Sequence, residues 1–344
     1  MNLAINIRLA AILTIAIVAG CSSKLEMLEL NGYTMGTSYS VKAVRSDTSV
    51  SLEPLSNRIF VRLEELESLF STYRETSEIS QFNAHVGNEW FEIPPVFLTV
   101  LMRGIDISEL SGGAFDITVG PLVELWGFGA SNSINAVPTQ TEIDSMLKTT
   151  GFNYLEVQSS PPAVRRTQPG VRLDLSSIAK GFAVDEISAL LDSFGLTSYM
   201  VEIGGEVRAR GMRADGSNWL IGIETPTSKN VITDRVQDVV YLRDAAIATS
   251  GNYRNYFEYE GNYYSHTLDP RTGWPVSHGL TSVSVIEQSA MNADALATAL
   301  MVLGPELGLD LATRENIAAL LLLRTDGGLK ILQTPAYKAY LANR

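Results

Sequence analysis

The stretch YYSHTLDPRTGWPV, Tyr263 to Val276, ends an aromatic, strand-like run in His266 and packs Asp269, Arg271 and Gly273 into the turn that follows. A histidine titrating near neutrality is the natural general base for a hydroxyl nucleophile. The preceding ATSGNYRNYF adds Ser250 and Arg254 on what reads as a neighbouring strand. The chain has three histidines in all, and the other two, His85 and His278, lack such polar company and read as surface or packing residues. Asp269 and Arg271 fit two roles, a substrate contact or an ion pair that shapes the turn.

Other residue sets carry chemistry of different kinds. In MNADALATALMVLG, Asp294 and Thr298 are four apart and share one helix face. Their oxygens are hard ligands of the kind Mg²⁺ takes. The same pair also reads as a carboxylate serving the helix dipole and a threonine bonding back to a carbonyl. In RLDLSSIAKGFAVD, Asp174 and Ser176-Ser177 precede a helix and read as caps. Lys180 on the first turn, beside a Gly181 that leaves room for a ligand, makes that helix end a reasonable anion site. Gly112-Gly113 before Ala114-Phe115-Asp116 permits close backbone approach, with Phe115 able to stack on a planar ring, or simply ends a helix. Met35-Gly36 at a strand junction faces a flat ligand or forms a bulge. No GxSxG elbow, HExxH, paired-cysteine site or Walker loop occurs, which leaves hydrolase and zincin readings without support.

The elements that must position these residues follow from periodicity. The segment 28–44 alternates and reads as two strands meeting near Met35-Gly36-Thr37. Leu55, Ile59, Leu63, Leu66 and Phe70 have helical spacing within 52–70. Further helices are predicted over 96–110, ending at Gly112-Gly113, and over 141–150, closed by Gly151. Another spans 178–194. Short β-branched runs then follow up to Leu268, and LTSVSVIEQS leads into a helix over 291–303 ended by Gly304-Pro305. One more helix and two strands, IAALLLLR and LKILQT, close the chain. Runs of strands separated by turn residues indicate antiparallel sheet. The expected fold is α+β, antiparallel sheets with segregated helices in a single compact unit.

Bulk properties narrow the partners. Of 344 residues, 45% are hydrophobic and 19% charged, ordinary for a chain with a substantial core. A net charge of -12 argues against nucleic acid, which needs a basic surface. An anionic ligand then needs a bound cation or a local cluster of donors. At the start, Arg8 and the twelve-residue apolar run LAAILTIAIVAG are too short for a transmembrane span and read as a signal peptide over 1–20. The run ends at Cys21, the only cysteine. Small residues before a cysteine resemble the lipobox of bacterial lipoproteins, in which the cysteine is lipidated and becomes the mature N-terminus. Residues 21–27 then form a tether to a body over 28–344, held on the periplasmic side of a bacterial membrane. A lone cysteine suits an oxidising compartment.

Taken in order, the motifs are more specific than any one of them. MGT at 35–37, SGGAFD at 111–116, DLSSIAKG at 174–181, TSGNYR at 249–254, SHTLDPRTG at 265–273 and ADALATAL at 293–300 resemble successive motifs of the ApbE family of FAD:protein FMN transferases. The resemblance covers about 28 to 335. It implies that FAD contacts Met35, Tyr73, Ala114, Phe115, Asp116, Asp174, Lys180 and Leu268. It implies Mg²⁺ held by Asp294 and Thr298 with main-chain oxygen from Ser177 and Ala297, and His266 as catalytic base. Some members carry Gly or Ala at positions 176 and 177, a difference of little weight if the metal takes a carbonyl there. The implied reaction moves FMN from FAD to a Thr or Ser hydroxyl of an acceptor protein and releases AMP. The rival readings are an FAD pyrophosphatase, in which water attacks, and a non-catalytic, lipid-anchored FAD-binding protein.

Overall fold

The period-two segments bury one side each and must pair, while the amphipathic helices need a sheet face to cover. The computed structural model describes residues 25–45, 51–130, 136–224, 236–252 and 256–343. Cys21, with the leader and most of the tether, lies outside the described residues, as does Arg254. The chain begins with β1 (Glu26–Thr34) and β2 (Thr37–Arg45), then α1 (Leu52–Phe70), α2 (Glu78–Ala84), β3 (Phe91–Glu92), α3 (Pro95–Leu110), α4 (Gly120–Leu125) and α5 (Gln140–Leu147). Next come β4 (Leu155–Ser159), β5 (Pro162–Arg166), α6 (Ser176–Ser193), β6 (Tyr199–Ile203), β7 (Glu206–Arg210), β8 (Trp219–Glu224), β9 (Val236–Leu242) and β10 (Ala245–Gly251). The last third holds β11 (Tyr256–Tyr259), β12 (Asn262–Ser265), β13 (Leu280–Glu287), α7 (Ala290–Arg314), β14 (Ala318–Thr325), β15 (Gly328–Gln333) and α8 (Pro335–Ala342).

Eight strands form one sheet in the order β1-β2-β6-β7-β10-β13-β14-β15, and every neighbouring pair in it is antiparallel. Helices α1, α3, α6 and α7 share the main core with one face of the sheet. The five apolar positions predicted for α1 are all buried, each worth about 1.5–3 kcal/mol relative to exposure. The opposite face is covered by the β8–β9 hairpin and α8, through Trp219, Ile223, Val240, Leu242 and Tyr337. The structure is thus the α+β unit expected. It adds α2, α4, α8 and the small β3-β5-β4 sheet, and it shortens the helix expected over 141–150 to α5.

Two predicted boundaries have a visible cause. The 35–37 junction is a tight β-turn, with Thr34 opposite Thr37. The helix over 291–303 does stop at Gly304 (φ 79°, ψ -176°), and the chain resumes helical geometry from Pro305, so α7 is two helices joined at a kink. His278 packs against that break, with both ring nitrogens buried. It is the packing residue its sequence context suggested.

Candidate active site

The site is built where α6 and α7 cross closely on the sheet. A Cβ on Gly181 would stand 2.8 Å from Asp294 Cβ and nearer still to the Ala290 carbonyl oxygen. That approach lets the Gly181 N–H donate to Asp294 Oδ2 at 3.0 Å. Gly181 therefore makes room for the neighbouring helix, not for a ligand as its sequence context suggested. Gly181→Ala is expected to lower stability by about 1–3 kcal/mol through overpacking, outweighing the roughly 1 kcal/mol that alanine gains in helix propensity. Thermal unfolding of the variant checks this.

Asp294 does not serve the dipole of its own helix. That task falls to Asp185 on α6, whose carboxylate accepts from the Ala290 and Met291 N–H groups, both at 3.0 Å, and from the Ser289 hydroxyl at 2.7 Å. Asp294 is left 4% exposed. Burial raises its pKa, opposed by the Lys180 charge and the Gly181 N–H. One turn on, Thr298 Oγ1 lies 3.0 Å from Ser250 Oγ, which ties α7 to β10.

Lys180 approaches Glu206 Oε1 at 3.3 Å and donates to the Ser176 carbonyl at 3.3 Å. Burial acts to lower its pKa, but the Asp294 and Glu206 carboxylates outweigh that and the net shift is upward. Glu206, at the start of β7, is 4% exposed, and burial pushes its carboxyl up against the pull of Lys180. Sequence reading missed Glu206, because GGEVRAR looks like an ordinary polar strand start. The positive-φ pair Gly204-Gly205 before it was the available signal.

The remaining loops close around this centre. Gly113 donates its N–H to the Ser108 carbonyl and ends α3, the helix-ending reading of the glycine pair. The chain then turns Ala114, Phe115 and Asp116 inward, all nearly buried. The Asp116 carboxylate accepts from the Thr118 N–H and hydroxyl and from the Phe152 N–H. It thereby fixes the loop, while burial raises its pKa against those bonds. Asp174 accepts from the Ser176 N–H at 2.8 Å, but the N-cap of α6 is Leu175 and no side chain caps the helix, so neither Asp174 nor Ser176 and Ser177, which lie inside α6, is the cap the sequence suggests.

His266 follows β12, with its ring edge-on to Phe128 at 6.3 Å. The turn after it is rigidly built. Asp269 accepts from the Arg271 backbone N–H at 2.9 Å and from its guanidinium at 2.9 and 2.8 Å, so the two residues form the turn-shaping ion pair. Gly273 (φ 74°) leaves no room for a Cβ against Ile143 and Leu122, and its carbonyl accepts from Trp126 Nε1 at 2.8 Å. A small apolar cluster of Leu122, Trp126, Ile143 and Leu268 thus carries the histidine's segment.

These pieces open onto one cavity of about 1230 Å³, above the roughly 300–1,000 Å³ usual for a small ligand. Met35, Tyr73, Ala114, Phe115, Asp116, Asp174, Ser177, Lys180, His266, Leu268, Asp294 and Thr298 all line it. Ala297, fully buried on α7, does not. Among the described residues the lining carboxylates are Glu67, Asp116, Asp174, Glu206, Glu224 and Asp294, and the only lysine or arginine side chains are Arg74 and Lys180. Both cations already pair with carboxylates, Arg74 with Glu67 and Lys180 with Glu206. An anionic ligand entering here needs a further positive charge. The hard oxygens of Asp294 and Thr298 suit a divalent cation that also keeps water and phosphate ligands. Among the described residues no group of three or more His, Cys, Asp or Glu forms a metal cage.

A two-faced α+β body that converges buried acid, hydroxyl, lysine and histidine on a nucleotide-sized cleft is an enzyme built for a large phosphorylated ligand. The chain belongs to the ApbE family, whose model matches residues 35–321. It is 41% identical over 334 residues to the FAD:protein FMN transferase of Vibrio cholerae, covering 97% of this chain and 98% of that one. With the enzyme of the same name from Escherichia coli K12 it shares 35% identity over 346 residues, covering 98% and 97%. The flavin transferase ApbE structure from Vibrio cholerae superposes with TM-score 0.85 at 40% identity, over 92% of this chain and all (100%) of that chain. The apo flavinyl transferase ApbE of Pseudomonas stutzeri gives 0.85 at 39% identity, over 92% and 97%.

Proposed function

We propose that the protein transfers FMN from FAD to a Thr or Ser hydroxyl of an acceptor protein and releases AMP. The observation that carries this reading is the convergence of His266, Lys180, Asp294 and Thr298 on one cavity whose own cations are neutralised. FAD occupies the cleft along Met35, Tyr73 and the Ala114–Asp116 loop. Its pyrophosphate lies toward Ser177, at the start of α6, where the positive end of the helix dipole favours anions. Asp294 and Thr298, with the main-chain oxygen of Ser177, would hold Mg²⁺. When bound, that ion neutralises charge on the phosphates as transfer proceeds. His266 takes the proton of the acceptor hydroxyl. The oxygen forms a bond to the FMN-side phosphorus, the P–O bond to the bridging oxygen breaks, and AMP leaves with that oxygen.

The test is to incubate the protein with FAD, Mg²⁺ and a candidate acceptor domain, then measure the acceptor's intact mass. A gain equal to an FMN phosphoester supports transfer. Free FMN and AMP with an unmodified acceptor would point to water as acceptor and overturn the reading, and intact FAD would point to a carrier. The same proposal places the enzyme on the periplasmic side of a membrane, anchored through lipidated Cys21, on the strength of the leader. Cys21→Ala is expected to move the protein from the membrane fraction to the soluble one, and an unchanged distribution rules the anchor out.

A further inference from the structure

Glu67 lies in LEELESLF near the end of α1, a position that reads as one more solvated acid on a helix. Its side chain is only 15% exposed. Oε1 accepts from the Met35 N–H at 2.7 Å and from the Thr34 hydroxyl at 3.0 Å. Oε2 accepts from the Arg74 guanidinium, which also bonds Glu64. The backbone carbonyl of Glu67 accepts from the Ser71 N–H and so starts the loop that carries Tyr73. Burial would raise this carboxyl's pKa, but the N–H, the hydroxyl and the guanidinium together hold it below the usual range, so it stays an anion.

What the carboxylate holds is unusual. Met35 has φ 49°, a left-handed conformation that costs a non-glycine residue on the order of 1 kcal/mol. The two-residue β1–β2 turn demands positive φ at both of its central positions, Met35 and Gly36 (φ 72°). The bond from the Met35 N–H to a charged acceptor helps hold that geometry at a methionine. Met35 and Tyr73 reach the cavity from different parts of the chain, and Glu67 is tied to both segments.

We infer that Glu67 is a positioning residue that sets Met35 and Tyr73 as two fixed jaws for the flavin nucleotide. This rests on the FAD reading given above. With the jaws preset, FAD binding does not have to order the turn, and affinity rises because that cost is removed. The chemistry at His266 and Asp294 is untouched, so the effect falls on FAD binding and not on turnover.

The experiment uses the full-length protein and FAD itself, measuring Kd, KM and kcat with thermal unfolding alongside. Glu67→Gln puts an NH₂ against donors and is expected to weaken FAD binding on the order of tenfold, with kcat nearly unchanged and Tm nearly held. Thr34→Val provides the second arm. Thr34 does not line the cavity, so a loss of FAD affinity in this near-isosteric variant must pass through Glu67, even if Glu67→Gln folds poorly. Met35→Ala should weaken binding in the wild type and add little once Glu67→Gln is present. Wild-type FAD affinity in Glu67→Gln or Thr34→Val, with Met35→Ala still harmful, overturns the positioning role and leaves the FAD site standing. Wild-type affinity in all three removes Met35 from the FAD site and takes the inference with it. A fall in kcat with unchanged KM also overturns it.

Discussion

His266→Ala is expected to slow FMN transfer by about 10²–10⁴-fold, the usual worth of a positioned general base, while FAD binding is retained. The separation follows from where the residue sits. His266 is carried by a turn whose geometry comes from Asp269, Arg271 and Gly273 and from the apolar cluster around Trp126. The imidazole contributes to none of those bonds, so removing it leaves the turn and the wall contributed by Leu268 in place. Single-turnover transfer to an acceptor, followed by intact mass, reads the chemical step. Flavin fluorescence titration reads binding. Transfer at the wild-type rate would take His266 out of the mechanism, and lost FAD binding would make it a ligand contact instead.

Asp294→Asn is the second large effect, expected to reduce transfer by about 10²-fold or more through loss of electrostatic stabilisation. Its signature differs from that of His266. The amide keeps the side chain's shape against Gly181, and its oxygen can still accept the N–H at that position. What is lost is the one lining charge on α7, the helix that also presents Thr298. The variant should therefore need far more Mg²⁺ for half-maximal rate, and raising Mg²⁺ should recover part of it. Lys180 loses one of the three carboxylates that hold its pKa up. A Mg²⁺ dependence identical to wild type would place the metal elsewhere. Asp294→Ala is less informative, since it also strips the Gly181 N–H of its acceptor and mixes folding with function.

Much of this site was legible because its parts are short, ordered and carry side chains whose chemistry is narrow. The α7 pair at positions 294 and 298 shares a face simply by helical spacing, and the Gly304-Pro305 break is local in origin. The helices with buried stripes, α1 and α3, show their period directly. What escaped depends on long-range contacts. Glu67 looks solvated until the β1–β2 turn is laid beside it, 32 residues away in sequence. Glu206 looks like a strand's polar end until Lys180 arrives from α6. Gly181 was assigned to the ligand because only the fold brings Ala290 and Asp294 against it. The strands β3 to β5 and helices α2 and α4 are too short to show a period, and α8 follows two strands that themselves look terminal.

The bond from the Gly181 N–H to Asp294 spans 113 residues of chain, and the cavity draws its walls from Met35 through Val302. Such contacts have high sequence separation and form late, after the loop-closure entropy has been met. The complete pocket exists only when these distant segments meet. A bound flavin is consequently linked to the native state as a whole. By mass action it shifts the global unfolding equilibrium and ignores any half-folded species. The substrate then acts as a reporter of completed folding.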